Sequence, residues 1–377
     1  MQIDGIRVID LTRLLPGGYT SQLLAEMGAD VIKVEDPAVG DYARNQPPST
    51  PEDVGALFTA VNRGKRSIVL DLKSEKGLER LYRLVETADV FFEGFRPGVA
   101  ERLGIDYESI REQNPEIVYC SLSGYGQTGP LRNQPGHDLN YAGVAGLLDM
   151  TRHDEDHRPP VPGFPMADLA AGLFAGFSIV SELLSQQLQP ENAGNYLDVS
   201  MTDVGYAFGQ VATLEALCGN DPRPGETTLT GKYPCYDVYE TADERYVTLA
   251  ALEPKFWREF CSVIGREDLV DEHMSSDGAV REALESELRE VFRTRTRSEW
   301  RADFTGTEVP FGVVNTPKET LSDPHITSRG LVQTGPDGRS VPHPVFPVKT
   351  ANGLEDELFE YPAHGEHTDE VLEELGY

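Results

Sequence analysis

GIRVIDLTRLLPGGYTSQLLAEMGADVIKVE, residues 5–35, decides the fold. Ile6-Arg7-Val8-Ile9-Asp10 is a short apolar strand, and Pro16-Gly17-Gly18 breaks it. Tyr19 to Met27 has helical spacing, Gly28 ends that helix, and Asp30-Val31-Ile32-Lys33-Val34-Glu35 is the next strand. Further along, Ser67 to Leu72 reads as a strand. Ser74 can cap a helix through Ala88 that puts Leu78, Leu81, Leu84 and Val85 on one face. Asp89–Glu93 and Ile117–Leu122 are further strands. Strands separated by helices give a parallel sheet wound on both faces, so the fold class is α/β. A ligand then belongs at the carboxyl ends of the strands.

The middle of the chain reads differently. Phe164 to Gln187 is one long, mostly apolar helix, in which Gly172 and Gly176 let a second helix come close. Asn195 to Met201 is strand-like and Thr202 to Leu217 helical. Pro222-Arg223-Pro224-Gly225 marks a boundary. Beyond it, strands Tyr233–Tyr239 and Tyr246–Ala251 and helices near 255–264, 279–293 and 298–304 make an α+β segment. The expected division is 1–222, 223–325 and 326–377. From Pro342 the chain is Pro-rich, then acidic, with a last helix near Thr368–Leu375.

Composition sets limits on function. The 377 residues carry 63 Asp and Glu against 33 Lys and Arg, a formal net charge of −30, so nucleic acid is an unfavourable partner. The cations are 25 Arg and only 8 Lys, a balance suited to concentrated salt, where self-repulsion is screened. No apolar run is expected to span a membrane, and the start lacks a basic leader before an apolar core. Cys120, Cys218, Cys235 and Cys261 are scattered without C-x-x-C, and no histidine pair has zinc spacing. Free thiols, a cytoplasmic location and no metal are therefore expected.

Several segments carry chemistry. Gly124-Tyr-Gly-Gln-Thr-Gly129 matches G-x-G-x-x-G. However, it follows a late strand, precedes Pro130 and lacks the acidic strand end a dinucleotide site needs; it reads as a flexible loop beside a ligand. Arg63, Lys65 and Arg66 put three cations within four residues of an acidic protein, a pattern suited to a multiply phosphorylated ligand that Arg96 could join. His137 and Asp138, in Gly136-His-Asp-Leu-Asn-Tyr141, open an apolar helical stretch. Asp168 opens the long helix, and Glu253 precedes another helix. An acid or imidazole at one helix start is ordinarily a cap; the signal is the pair, His137 with Asp168.

In this order the segments resemble the family III CoA-transferase superfamily, and within it most resemble the α-methylacyl-CoA racemases. The resemblance is carried nearly end to end by GIRVIDLTRLLPG, AEMGADVIKVE, VNRGKRSIVLDLK, FFEGFRPGV, NPEIVYCSLSGYGQTGP, GHDLNY, ADLAAG, YLDVSM, GKYPCYDVYETAD and LEPKFW. It implies a Rossmann-like large domain built from both chain ends, a small α+β domain, and two chains interlocked as a homodimer. The active site would lie at a domain and subunit interface. The ligand it implies is an acyl-CoA, with CoA as part of the substrate and no other cofactor. Lys33, the stretch Leu70-Asp71-Leu72-Lys73 and the glycine loop (Gly124, Gly126) match ligand-contacting positions. Asp36 stands where racemases can carry Arg.

The resemblance also implies the chemistry. His137 and Asp168 would stand on opposite faces of the thioester α-carbon and exchange its proton, with Glu253 orienting His137. Gly136, Asp138, Leu139, Asn140 and Tyr141 would hold the helix start or the thioester. The alternative is CoA transfer, in which Asp168 is the nucleophile; a third is a non-catalytic CoA-thioester binding protein.

Overall fold

The computed structural model describes residues 2–189, 191, 194–333, 343–344, 346–349 and 360–377; most of the stretch that follows Pro342 falls outside them. The first elements are β1 (Arg7–Asp10), α1 (Leu14–Glu26), β2 (Asp30–Glu35), α2 (Ala56–Val61), β3 (Arg66–Val69), α3 (Glu75–Val85), β4 (Val90–Glu93), α4 (Val99–Leu103), α5 (Tyr107–Gln113) and β5 (Val118–Ser123). There follow α6 (Asp138–Val144), α7 (Met166–Leu188), β6 (Asn195–Ser200), α8 (Met201–Phe208), α9 (Gln210–Leu217), β7 (Tyr236–Glu240), β8 (Tyr246–Ala250) and α10 (Pro254–Ile264). The last are α11 (Gly278–Phe292), α12 (Arg297–Asp303), β9 (Phe311–Val313), α13 (Pro317–Thr320), α14 (Pro324–Ser328), β10 (Val332–Gln333), β11 (His343–Pro344) and α15 (Thr368–Glu374).

The chain divides into two compact units. One comprises Met1–Leu147, Pro162–Gln210 and His325–Tyr377; the other comprises Leu148–Val161 and Val211–Pro324. The chain thus enters the second unit twice, once by a short excursion the sequence does not announce. The second entry precedes Pro222, because the helix expected over Thr202–Leu217 is interrupted at Gly209, between α8 and α9.

In the first unit six parallel strands run in the order β3-β2-β1-β4-β5-β6. The pairing follows from the apolar runs: Val8 lies opposite Val31 on one side and Val90 on the other. Strands flanked on both sides and covered on both faces become buried apolar segments. The order reverses beside β1, so the loops after β1 and β4 frame a crevice at the carboxyl edge.

Pro16-Gly17-Gly18 does not separate the strand from the helix, which begins at Leu14. It lies inside the first turns of α1, where Pro has no intrahelical bond to lose. The glycines serve close packing. A Cβ on Gly17 would sit 2.2 Å from Thr12 Cβ, and one on Gly18 2.7 Å from Val61 Cγ2. The same contact logic seats α1 on α7: a Cβ on Gly172 would come within 2.8 Å of the Pro16 carbonyl oxygen, and Thr20 Oγ1 donates to Gly172 O at 2.9 Å. Contrary to expectation, among the described residues one helix, α7, is by length and composition apolar enough to cross a membrane. Here one of its faces is buried through Ala167, Ala171, Ala175 and Ile179.

Residues 360–377 close the β3 edge. Gly64 N donates to Glu360 O at 2.8 Å, His367 N to Ser67 O at 2.9 Å, and Val69 N to Thr368 Oγ1 at 3.0 Å. Glu374 bridges Arg66 and Arg7. An edge that would present unpaired backbone groups is thereby covered.

The second unit contains the antiparallel sheet β7-β8-β9. An aromatic core of Tyr239, Trp257, Phe260, Phe292 and Trp300 lies between that sheet and α10–α12.

Candidate active site

The site is built where α6 meets the start of α7. α6 begins at Asp138, and its first turn is locked from within: His137 N donates to Asn140 Oδ1 at 3.0 Å. Because Asn140 does this work, the Asp138 carboxylate is free to reach the next helix. Its Oδ1 accepts from Ala167 N at 2.7 Å and from Asp168 N at 3.0 Å, satisfying two of the N–H groups that a helix start leaves open. Asp138, the residue after His137, is thus bonded to the backbone of Asp168. The Asp168 carboxylate itself has no hydrogen-bond partner among the described residues. Burial, and then the Asp138 charge, push its pKa up to about 7.

The ring of Tyr141 underlies this arrangement. Its hydroxyl donates to Gly136 O at 2.5 Å, and its edge meets the Tyr125 ring at 5.1 Å between centroids. Gly124 and Gly136 are glycine because the ring occupies their side-chain space: a Cβ would lie 2.4 and 2.6 Å from Tyr141 Cε1. Burial, then Asp168 and Tyr125, raise the Tyr141 hydroxyl to about 12, so it stays protonated at neutral pH.

The glycine segment is a loop that opens no helix. Gly126 takes φ +79°, the left-handed region that favours glycine. Gln127 latches it: the backbone N–H bonds the Asp198 carboxylate at 3.0 Å, and the side-chain amide donates to Ser121 Oγ at 2.9 Å. Ser121 bonds Glu93 in turn, whose buried carboxyl is pushed up to about 7, burial being the largest cause.

The cations fall elsewhere than expected. Lys33 is fully buried; Nζ lies 2.9 Å from Asp41 Oδ2 and donates to Thr12 O at 2.9 Å. Lys65 is 3 % exposed and bonds Ser21 Oγ at 2.6 Å, Asn62 Oδ1 at 2.9 Å and Asp10 Oδ2 at 3.3 Å. Arg63 pairs with Glu26 at 2.7 Å, and Arg66 with Asp30 and Glu374. The cations expected to hold phosphate are paired instead: all four hold carboxylates of the first unit, and Lys33 and Lys65 are buried. Arg96 remains exposed.

Leu70, Asp71, Leu72 and Lys73 line a cleft at the carboxyl ends of β1–β3. Arg13 also lines it, its guanidinium 5.1 Å from the Tyr42 ring and 6.0 Å from Phe95. Arg13 is a cation the motifs pass over; its place directly after β1 was the available signal. Asp36 adds a negative charge to the same cleft. A neighbouring cavity of about 200 Å³ takes in Arg96, Glu93, Gln127, Tyr119 and Tyr196. His137, Leu139 and Asn140 are exposed. Glu253 is exposed at the start of α10, in the second unit. Among the described residues no group of His, Cys, Asp and Glu is placed to hold a metal ion.

Known proteins share this organisation. The family described as CoA-transferase family III matches residues 3–368. A succinate–glutarate CoA-transferase of Agrobacterium fabrum is 34 % identical over 99 % of this chain and 95 % of its own. A human alpha-methylacyl-CoA racemase is 31 % identical over 100 % and 94 %. The crystal structure of a CAIB/BAIF family protein from Brucella suis superposes with a TM-score of 0.87 at 30 % identity, covering 99 % of this chain and 98 % of that one. With its parallel sheet, its glycine loop and its acid at the head of α7, the chain belongs to CoA-transferase family III.

Proposed function

We propose that the protein transfers CoA between carboxylic acids, with Asp168 as nucleophile. The observation that carries this is the Asp168 carboxylate itself: half-buried at a helix start, without a hydrogen-bond partner among the described residues, and basic for its kind. The family description and the succinate–glutarate relative move transfer ahead of racemisation. That relative also makes short dicarboxylic acids the first acceptors to test.

The steps balance without a further group. An Asp168 oxygen attacks the thioester carbonyl carbon, the C–S bond breaks, and CoA leaves as thiolate from a mixed anhydride. The thiolate attacks the aspartyl carbonyl carbon, freeing the donor carboxylate and leaving an aspartyl-CoA thioester. The acceptor carboxylate then reverses these steps, and Asp168 is regenerated. Arg13 and Lys73 supply cations for CoA phosphate in the cleft between the strand ends. The acting form is proposed to be a homodimer, with the exposed apolar side of α7 as part of its interface.

Racemisation is kept as a second function by one contact, that of Asp138, the residue after His137, with the backbone of Asp168, and by the 31 % identical racemase. Incubation with succinyl-CoA and glutarate, followed by hydroxylamine, tests both. An Asp168 hydroxamate and glutaryl-CoA formation, both absent in Asp168→Asn, are expected. Deuterium uptake at the α-carbon of a 2-methylacyl-CoA in D2O, without any acceptor acid and without an adduct, would replace transfer by racemisation.

A further inference from the structure

We propose that Asp138 is the positioning residue of this reaction: its carboxylate fixes the first turn of α7, and with it the Asp168 nucleophile, while its charge opposes that of the nucleophile. The inference rests on the transfer chemistry above and deepens it. Two features separate Asp138 from an ordinary cap. It caps a helix other than its own, across 30 residues, with both bonds on the single oxygen Oδ1. And the two N–H groups it takes are those of Asp168 and the residue before it, so displacement of Asp138 frees the backbone that carries the nucleophile.

The charged and titratable neighbours can be taken element by element. α1 presents Tyr19, which packs against Gly172 one turn along α7, and α8 carries Asp203 in its first turn. α6 presents His137 and Tyr141 besides Asp138, the glycine loop presents Tyr125, and Arg96 acts on Tyr141. Of these, Asp138 alone adds to burial in holding the Asp168 proton. A raised pKa means that the nucleophile is charged only as the pH passes upward through about 7, so the rate of the first half-reaction climbs across that range. Removing the Asp138 charge while keeping its oxygen lets Asp168 ionise at lower pH.

Asp138→Asn and Asp138→Ala are to be compared with wild type between pH 5 and 9 at fixed KCl. The readouts are the rate of aspartyl-CoA formation, the affinity for CoA and a 13C NMR titration of the Asp168 carboxyl, assigned with Asp168→Asn. In Asp138→Asn the amide oxygen keeps both N–H bonds; the acid limb and the NMR midpoint move to lower pH, and the plateau rate stays within a few-fold. In Asp138→Ala the plateau falls at least ten-fold with CoA affinity unchanged. An Asn variant whose titration superimposes on wild type, or an Ala variant with a full plateau, overturns the proposal. If no aspartyl-CoA forms in wild type, transfer itself fails, and the NMR midpoint still decides for or against the charge effect of Asp138.

Discussion

Lys65 shows how one side chain is decided by partners distant in sequence. Burial drives its ammonium pKa down to about 8, with Asp10 opposing and Lys33 adding to the drop. Burial works to neutralise Asp10, but Lys33, Lys65 and the hydroxyls of Ser21 and Thr12 together hold its pKa below the ordinary value. Lys65→Met leaves Asp10 and Asn62 short of a partner and is expected to cost about 3–5 kcal/mol in denaturant unfolding at fixed KCl. KM for the CoA thioester, measured without denaturant where the variant is folded, should not change. A large KM effect with unaltered stability would return Lys65 to the binding surface. The basic cluster at 63–66 was legible as an exception to the global charge, but its purpose was not. Asp10 and Asp30 reach it through the parallel pairing of β1, β2 and β3, and Glu26 reaches it from the end of α1. Asp168 was legible as an acid ahead of an apolar helix. That it is capped by Asp138 was not, because no local pattern records a bond across 30 residues.

At the scale of elements, α7 has two apolar sides with different fates. One packs on α1 through small residues. The other leaves Leu173, Phe177, Leu184 and Leu188 exposed at intervals of four, seven and four, a single stripe along the helix. Continuous exposed apolar surface of this kind ordinarily meets a partner. The proposed homodimer places a second copy there. Phe177→Glu with Leu184→Glu is expected to convert dimer to monomer in sedimentation equilibrium while leaving far-UV circular dichroism unchanged. A wild-type monomer, or a dimer that survives both charges, removes the stripe from the interface. The strands and this long helix were readable because apolar runs and periodicity are local. The Pro16-Gly17-Gly18 turn was misread because glycine signals both a break and a close approach, and only the neighbouring Thr12 and Val61 tell them apart.

For the whole molecule the dominant quantity is the net charge of −30. Self-repulsion of that size favours expansion, and salt shortens its reach from about 10 Å at 0.1 M to about 3 Å at 1 M. The thermal midpoint is therefore expected to rise steadily from 0.1 to 2 M KCl. A midpoint that is flat or falling across that range would remove the case for salt adaptation. The buried Asp10–Lys33–Lys65 group is largely shielded from mobile ions, so the gain should come from the surface.

The seal over β3 has a consequence for biosynthesis. Among the described residues the Ser67 carbonyl and the Val69 N–H find their outer partners in His367 and Thr368, so a chain emerging from the ribosome carries an uncapped strand while the 300 residues to His367 are made. In that interval the nascent sheet is open to any passing strand, and a crowd of like charges is what keeps two half-made copies apart.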